Sequence, residues 1–578
     1  MTEPVLVSDL LFATWQSHPD TPALGVAGEW SYSYRKVAAL ADRLAGRLTA
    51  NGIQAGDRVA IVAENQPNWG VAYLAINRCG AIAVPVLPDF PAGDVARILD
   101  HAQIAACFVS KRLIAKASEA GLADSSATVY LLDNLERLDG ITDEKVEQSL
   151  EALPHASPPD DAPRSENRHP GESDDVAAII YTSGTTGNSK GVVLTNRNLM
   201  VNVLGTRGIP GIRTGDSMLS ILPLAHTYEC TIGFLIPISM GCSVYYLTRP
   251  PSATVLMPAL DRVRPHLMLS VPLLIEKLYR QSILPSLTGK SISKRLYGTR
   301  IGRKLLNRIA GRKLRRVFGG RLYFFGIGGA AIAPEVEDFL IEARFPYAVG
   351  YGLTETAPLI AGANNRDMRP RSTGFPIPGI EVRITNPDRE TGEGEIIVRG
   401  PTVMRGYYKD PERTAEVIDA DGWFHTGDLG SFDDDGRLYI RGRVKNMILG
   451  PSGENIFPEA IEALINSYEF VEDSVVFQYQ GGLTARVHVN YEALRERAQA
   501  VAEAASGIPG SIGDFLSDLR KSVNERLAAF SRISEVIEQE EPFEKTPTNK
   551  IKRFLYDSLH RQQPEDKQDS AESGDQGQ

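Results

Sequence analysis

A chain of 578 residues with 42% hydrophobic and 23% charged content can bury more core than one domain normally organises, so at least two domains are expected. The formal charge of −10 lacks the basic footprint of a general nucleic-acid binder, and no nucleic-acid partner is expected. Cys79, Cys107, Cys230 and Cys242 are widely spaced with no C-x-x-C pair, which excludes the usual zinc and disulfide frameworks and predicts buried thiols.

The first residues, Met1-Thr2-Glu3-Pro4, place no basic segment ahead of an apolar run. No secretory signal is expected, and a reducing, cytoplasmic location follows. Between 57 and 110, the apolar runs Val59–Val62 and Ala81–Pro85 flank a helical stretch from Trp69 to Arg78. This βαβ grammar predicts an α/β fold with a parallel sheet. Residues 151 to 175, rich in Pro, Asp, Ser and Glu, read as a surface connection.

Val176–Thr182 is a fully apolar strand pattern that runs into Tyr181-Thr182-Ser183-Gly184-Thr185-Thr186-Gly187-Asn188-Ser189-Lys190-Gly191. Glycines let backbone N–H groups approach an anion, hydroxyls donate hydrogen bonds, and lysine adds a mobile positive charge, as a polyphosphate requires. The loop is not a Walker A sequence, because Ser189 stands where that motif needs glycine, and Val192–Thr195 predicts a second strand in place of a helix. A flexible hairpin cover is expected. A short glycine motif taken alone would equally be a solvated turn.

Residues 230 to 248 carry no charge and are long enough to be scored as a membrane span. Pro237, Ser239, Gly241 and Ser243 interrupt them, and a buried helix to about Met240 followed by a strand over Val244–Leu247 is expected instead. From Lys290 to Arg321 there are twelve Lys or Arg and no acid, with Ile301, Leu305, Ile309 and Val317 at helical spacing. Such a helix suits peripheral attachment to the inner face of an anionic membrane. The favoured expectation is a solvated helix whose apolar stripe packs on the core, and Gly302 and Gly311 weaken its continuity. Further βα units run to about 390, and Gly394–Gly400 and Gly436–Arg441 predict a β-rich subdomain. A new α/β pattern starts around Arg441–Asn446. The expected organisation is a core over 1–440, a hinge over 441–446, a C-terminal domain over 447–561, and a disordered acidic tail over 562–578.

The glycine–hydroxyl loop, Leu222-Pro-Leu-Ala-His-Thr-Tyr-Glu229, Gly328-Gly-Ala330, Tyr351-Gly-Leu-Thr-Glu355, Gly422-Trp-Phe-His-Thr-Gly-Asp428, Arg441-Gly-Arg-Val-Lys445 and Thr546-Pro-Thr-Asn-Lys-Ile-Lys552 occur in one order. Together they resemble the signatures of the adenylate-forming superfamily, and the likeness spans nearly the whole chain. The resemblance implies two βαβ-type subdomains and a small β-rich one in a large N-terminal domain, followed by a small mobile α+β domain.

It also implies roles. Thr182, Ser183, Gly184, Thr185, Thr186, Gly187 and Lys190 would cradle the ATP phosphates. Gly328, Gly329 and Ala330 would line the adenine, beside Tyr351 and Gly352. Thr354 would meet a phosphate and Glu355 would hold Mg²⁺, a hard cation suited to carboxylate oxygen. Asp428 would take the ribose hydroxyls, and Arg443 the ribose or a phosphate. His226 would stand between nucleotide and acyl group. Lys445 would be the hinge, Gly453 would admit the pantetheine arm of coenzyme A, and Lys550 would be the catalytic lysine, with Lys545 and Lys552 as surface neighbours. Read singly, His226 is equally a structural histidine, Asp428 a turn aspartate, Arg443 a surface ion pair and Gly453 a turn glycine.

The expected reaction is ATP-dependent activation of a medium- to long-chain fatty acid through an acyl-adenylate, with transfer to coenzyme A. Leu222–Glu229 and Arg321–Ala330 are similar to long-chain acyl-CoA synthetases, whereas Ile327-Gly328 and Thr548-Asn549 depart from the usual pattern and weaken any statement on chain length. A fatty-acyl-AMP ligase serving an acyl-carrier protein, a non-catalytic acyl- or nucleotide-binding regulator and, more distantly, a light-producing oxidase remain open, as does a homodimer.

Overall fold

The computed structural model describes residues 6–151, 168–182, 189–450, 455–492, 494, 512–546 and 550–557. Contacts divide the chain into two units, Met1–Arg441 and Gly442–Gln578.

The first unit is built on two mainly parallel sheets. In one, the strand order is Gly406–Tyr407, Lys190–Thr195, Val176–Thr182, Ile82–Val86, Arg58–Val62, Ala106–Val109, Thr128–Leu131 and Glu136–Arg137. The strands from Val176–Thr182 to Thr128–Leu131 run parallel, as continuous apolar runs buried on both faces should. In the other, Tyr347–Val349, Phe324–Ile327, Leu267–Ser270, Ser217–Ser220, Ser243–Tyr246 and Pro22–Val26 are parallel, and Ser31–Ser33 closes the edge antiparallel.

One hydrophobic core draws on both sheets and on the helices Tyr34–Ala50 and Pro67–Arg78. All twelve residues of Pro67–Arg78 are buried. Its Trp69 meets Phe234 edge-on with ring centroids 6.4 Å apart, and a Cβ on Gly70 would come within 2.9 Å of that phenylalanine ring, so glycine is what lets the two segments approach. The helix ends in Arg78, which pairs with Asp42 at 2.6 Å, both nearly inaccessible. Removing either partner would strand a buried charge at a cost of about 3–5 kcal/mol.

The uncharged stretch after Cys230 lies inside this core. It forms a π-helical turn over Glu229–Leu235, an α-helical turn over Ile236–Ser239 and the strand Ser243–Tyr246. Among the described residues no helix is long and apolar enough to cross a membrane. All four cysteines are buried thiols; burial pushes Cys79 up to about 11 and Cys230 and Cys242 up to about 12.

The basic stretch corrects the favoured sequence expectation. It forms two helices, Ser291–Tyr297 and Arg300–Val317, broken at Gly298-Thr299, where Thr299 Oγ1 caps the second by accepting from the Gly302 N–H. The stripe Ile301, Leu305, Ile309, Val317 does not pack on the core; Ile301 is 84% exposed and Leu305 54%. The buried face is Gly302, Asn307, Ala310, Gly311 and Leu314. Small residues win this face because the helix crosses Pro334–Ala343 closely: a Cβ on Gly311 would meet the Ala343 carbonyl oxygen at 2.3 Å. Asn307 and Arg303 then bind Glu342, at 2.7 and 2.8 Å.

A four-stranded sheet follows, of Glu381–Thr385, Gly394–Arg399, Phe424–Phe432 and Leu438–Arg443, the last two residues of which count with the second unit. In the second unit, the three-stranded sheet Val471–Tyr479, Gly482–Val489 and Ile533–Glu538 packs with the helices Pro458–Ile465 and Ile512–Asn524 around its own apolar cluster.

Candidate active site

In the first unit, the polar residues singled out by motif come from strand ends at Thr182, Lys190 and Tyr351, a 3₁₀ turn at Thr354 and Glu355, the middle of the strand Phe424–Phe432 at Asp428, and the segment Leu222–Glu229 at His226. Thr182 pairs with Lys190 across the antiparallel ladder of Val176–Thr182 and Lys190–Thr195, which sets these two residues side by side. Ser183, Gly184, Thr185, Thr186 and Gly187 lie outside the described residues. The edge strand Gly406–Tyr407 pairs with Val192–Val193 and brings Tyr407 over Lys190, whose Nζ lies 4.8 Å from the ring centroid.

Tyr407 also donates from its hydroxyl to Glu355 Oε1 at 2.9 Å, and the Met404 N–H donates to the Glu355 carbonyl at 2.8 Å. Glu355 sits in a single 3₁₀ turn, Thr354–Thr356. Gly352, just before that turn, is obligatory, because a Cβ there would lie 1.9 Å from the Pro358 carbonyl oxygen. Among the described residues no group of three or more His, Cys, Asp or Glu could hold a metal. Glu355 can contribute carboxylate oxygen to a Mg²⁺ ion only if phosphates and water supply the remaining ligands.

Tyr351 donates to Asp428 Oδ2 at 2.7 Å across 77 residues. Asp428 is 5% exposed, and its backbone N–H is held by Thr426 Oγ1, which itself donates to the Ile396 carbonyl. Beside it, His425 Nδ1 lies 3.0 Å from Glu395 and its Nε2 3.6 Å from Asp419. The hydrogen bond to Glu395, more than the partial burial that opposes it, raises the imidazole above its ordinary range.

The segment Leu222–Glu229 is positioned by a residue that no motif flagged. Asn65 donates to the Leu222 carbonyl at 2.6 Å and accepts from the Leu224 N–H at 2.8 Å. His226 Nδ1 accepts from the Tyr228 N–H at 3.2 Å, so the neutral ring carries its proton on Nε2. Thr227 donates to Thr354 Oγ1 at 3.3 Å, joining this segment to the Glu355 turn. Glu229 is fully buried; Ser220 donates to its Oε1 at 2.5 Å, and Oε2 has no partner among the described residues. Burial pushes its carboxyl up to about 8, so at neutral pH it is mostly the uncharged acid.

Tyr228 stands on a small apolar cleft, lined also by Ile232, Leu269, Phe324, Gly326 and Leu359. Gly326 and Gly328 make room for the tyrosine: a Cβ on either would lie 3.1 or 3.0 Å from its phenol. Gly328 is fixed by its N–H to the Ser270 carbonyl, Gly329 takes a φ of +85° that favours glycine, and Gly329 and Ala330 are exposed.

The remaining candidates belong to the second unit or its first residues. Arg443 ends the strand Leu438–Arg443, and exposed Lys445 lies in the one-turn 3₁₀ helix Val444–Asn446. Gly453 lies outside the described residues. Lys550 is exposed, on a turn where its N–H donates to Thr546 Oγ1 at 3.2 Å and its carbonyl accepts from the Thr546 N–H at 2.7 Å. Lys545 pairs with Asp473 at 2.7 Å and Lys552 with Glu544, which gives both neighbours structural partners inside this unit.

Asn65, Tyr407 and Glu229 are the residues that sequence reasoning left unassigned. Nothing local marks the first two, whose partners lie 157 and 52 residues away; an acid directly before an uncharged run was the available signal for the third.

The family of AMP-binding enzymes matches residues 11–408. Over 583 residues the chain is 31% identical to the peroxisomal long chain acyl-CoA synthetase 7 of Arabidopsis thaliana, covering 92% of this chain and 80% of that one. It is 29% identical to the long-chain-fatty-acid–CoA ligase FadD15 of Mycobacterium bovis, over 88% and 87% of the two chains. The ATP-bound crystal structure of MatB from Rhodopseudomonas palustris superposes with a TM-score of 0.71 at 24% identity, covering 95% of this chain and 98% of that one, which supports the fold. With its motifs in order and most of its length matched, the chain belongs to the family of AMP-binding enzymes.

Proposed function

We propose that the protein is an AMP-forming fatty acid–CoA ligase. The observation that carries this reading is the junction at Thr227-Tyr228: Tyr228 stands on the apolar cleft, while the preceding Thr227 hydrogen-bonds Thr354 at the edge of the Glu355 cluster. An acyl chain in the cleft would present its carboxylate where the phosphate-binding side begins. A carboxylate is a poor electrophile; when its oxygen attacks the α-phosphorus of ATP, an acyl–O–P bond forms as the bond from that phosphorus to pyrophosphate breaks, and the acyl group then carries AMP as a good leaving group. The enzyme's part is alignment and charge neutralisation.

In this reading Tyr351 and Asp428 hold the adenosine, with Gly328, Gly329 and Ala330 along the base. Thr182, Lys190 and the hydroxyls of the intervening loop hold the phosphates. Glu355, oriented by Tyr407, would hold Mg²⁺, which supplies charge neutralisation on the phosphates when bound. His226 stands between the nucleotide and the acyl carboxylate. Lys550 and Arg443 add positive charge for the adenylation step, Lys445 is the pivot, and Gly453 lies on the coenzyme A path. The relatives' names, long-chain acyl-CoA synthetase and fatty-acid–CoA ligase, support the acid class.

The test is a panel of carboxylic acids assayed for AMP release with ATP, with and without coenzyme A, and with an acyl-carrier protein in its place. Medium- to long-chain fatty acids should give AMP at a rate that coenzyme A raises. Turnover only with carrier protein would make the chain a fatty-acyl-AMP ligase. Absence of acid-dependent pyrophosphate exchange would sink the enzymatic reading.

A further inference from the structure

We propose that the helices Ser291–Tyr297 and Arg300–Val317 form a docking face for an anionic phospholipid bilayer. Among the described residues fifteen large apolar side chains are exposed, and six of them, Ile292, Leu296, Ile301, Leu305, Ile309 and Val317, lie in this one short stretch. Ile292 and Ile301, at 85% and 84%, are the most exposed of all. Scattered exposed apolar side chains are normal; a cluster is not.

The helix geometry decides how the cluster faces. At 100° per residue, Ile301, Leu305, Arg308, Arg312 and Arg315 fall within about 40° of one line on Arg300–Val317, with Arg316 beside them. The buried Asn307, Ala310 and Leu314 lie on the opposite side, where Val317 also falls at the helix end, and Ile309 stands about 80° from the line. Apolar and cationic side chains therefore share the outward face, a pattern that a water-facing helix does not need and a lipid headgroup region satisfies.

The charges are available. Arg303 is committed to Glu342, and Arg315 donates to the Arg344 carbonyl. Arg300, Arg308, Arg312, Lys313 and Arg316 are exposed and have no ion-pair partner among the described residues. The occupant is argued from this complementarity: twelve Lys or Arg without one acid from Lys290 to Arg321, on a chain whose net charge is −10. At physiological salt, charges more than about 8 Å apart are largely screened, so the local face rather than the net charge governs contact with a surface. The same segment runs on into the strand Phe324–Ile327, whose Phe324 and Gly326 line the apolar cleft. A bilayer bound here would lie against the chain segment leading to that cleft.

The inference does not rest on the acid-activation reading, because vesicle binding is measured without ATP, acid or coenzyme A. The full-length protein is sedimented with phosphatidylcholine vesicles and with vesicles also containing phosphatidylglycerol, at low and high salt. The expected result is salt-sensitive binding to the anionic vesicles alone. The pair Arg308→Gln/Arg312→Gln should weaken it roughly thirtyfold, and Ile301→Ser/Leu305→Ser about tenfold or more, with the thermal midpoint of both variants unchanged.

No binding of the unsubstituted protein to anionic vesicles overturns the proposal, as does equal binding by both variants. Light scattering reads the other occupant: self-association that these substitutions abolish, without vesicle binding, makes the face an interface between copies and overturns the bilayer assignment.

Discussion

Glu229 and Glu355 stand two and one residues beyond a pair of hydrogen-bonded threonines, Thr227 and Thr354, yet they have opposite chemistry. Glu229 turns into the apolar interior, where one serine hydroxyl is its sole partner among the described residues and burial pushes its carboxyl up to about 8. Glu355 turns toward Tyr407, which in turn lies against the Lys190 ammonium. The first is kept as a neutral acid by its surroundings; the second accepts a hydrogen bond from a tyrosine that lies against an ammonium. Environment, and not residue type, separates a buried carboxyl of the core from one that the proposed function can use.

The sharpest way to break this comparison is to remove charge on the polar side and look for any effect on folding. Lys550→Ala and Glu355→Gln should each lower ATP–pyrophosphate exchange about 10²- to 10³-fold while leaving the denaturation midpoint in place, since such losses are typical of groups acting on developing charge. A fall in thermal midpoint that accounts for the lost activity would place Glu355 with Glu229 instead.

Substitution on the apolar side should do the reverse. The native carboxyl of Glu229 titrates near 8 and the unfolded one near 4.5, so between these values the native state holds a proton that the unfolded state has released. Stability contributed by this group is fully present below pH 4.5 and is lost as pH rises through 8. Glu229→Gln has no such dependence. It should be more stable than the parent at pH 7, by on the order of 3 kcal/mol at most, and the difference should close as pH falls toward 4.5. Urea denaturation at pH 5 and pH 7 measures it.

Lys445→Pro touches neither environment. Fixing φ and removing an N–H in the turn Val444–Asn446 should slow thiol transfer at least about tenfold and leave pyrophosphate exchange intact. Equal loss of both half-reactions would exclude a pivot there. The smallest effect is expected from Tyr407→Phe, which frees Glu355 Oε1 from its donor. A single hydrogen bond is worth about 1 kcal/mol, so exchange should fall about fivefold, with a larger rise in the Mg²⁺ concentration needed.

Much of the architecture was legible because apolar periodicity is a local property. Val176–Thr182 and Arg58–Val62 appear where the apolar runs Val176–Thr182 and Val59–Val62 put them, and Pro67–Arg78 where a helical stretch from Trp69 to Arg78 was expected. The uncharged stretch after Cys230 was legible as core because proline and glycine interrupt it. What failed was the orientation of Arg300–Val317. Ile301, Leu305 and Ile309 follow helical spacing as a core stripe should, but the buried side goes to Gly302, Ala310 and Gly311, because a close crossing with Pro334–Ala343 has no room for larger residues. Periodicity reports a face, not what faces it. Within the site, Tyr351 and Asp428 were found separately by motif and are hydrogen-bonded neighbours. Tyr407 and Asn65 were not legible, since their roles arise from pairings that only the folded sheets create.

The depth of the four cysteines has a practical corollary. Their sulfurs are inaccessible and, with burial holding them as thiols at neutral pH, they offer almost no thiolate to a disulfide reagent while the fold is intact. A colorimetric thiol titration can therefore follow coenzyme A consumption in the presence of native enzyme with little background. A slow extra release of colour would then mark loss of native structure during the assay.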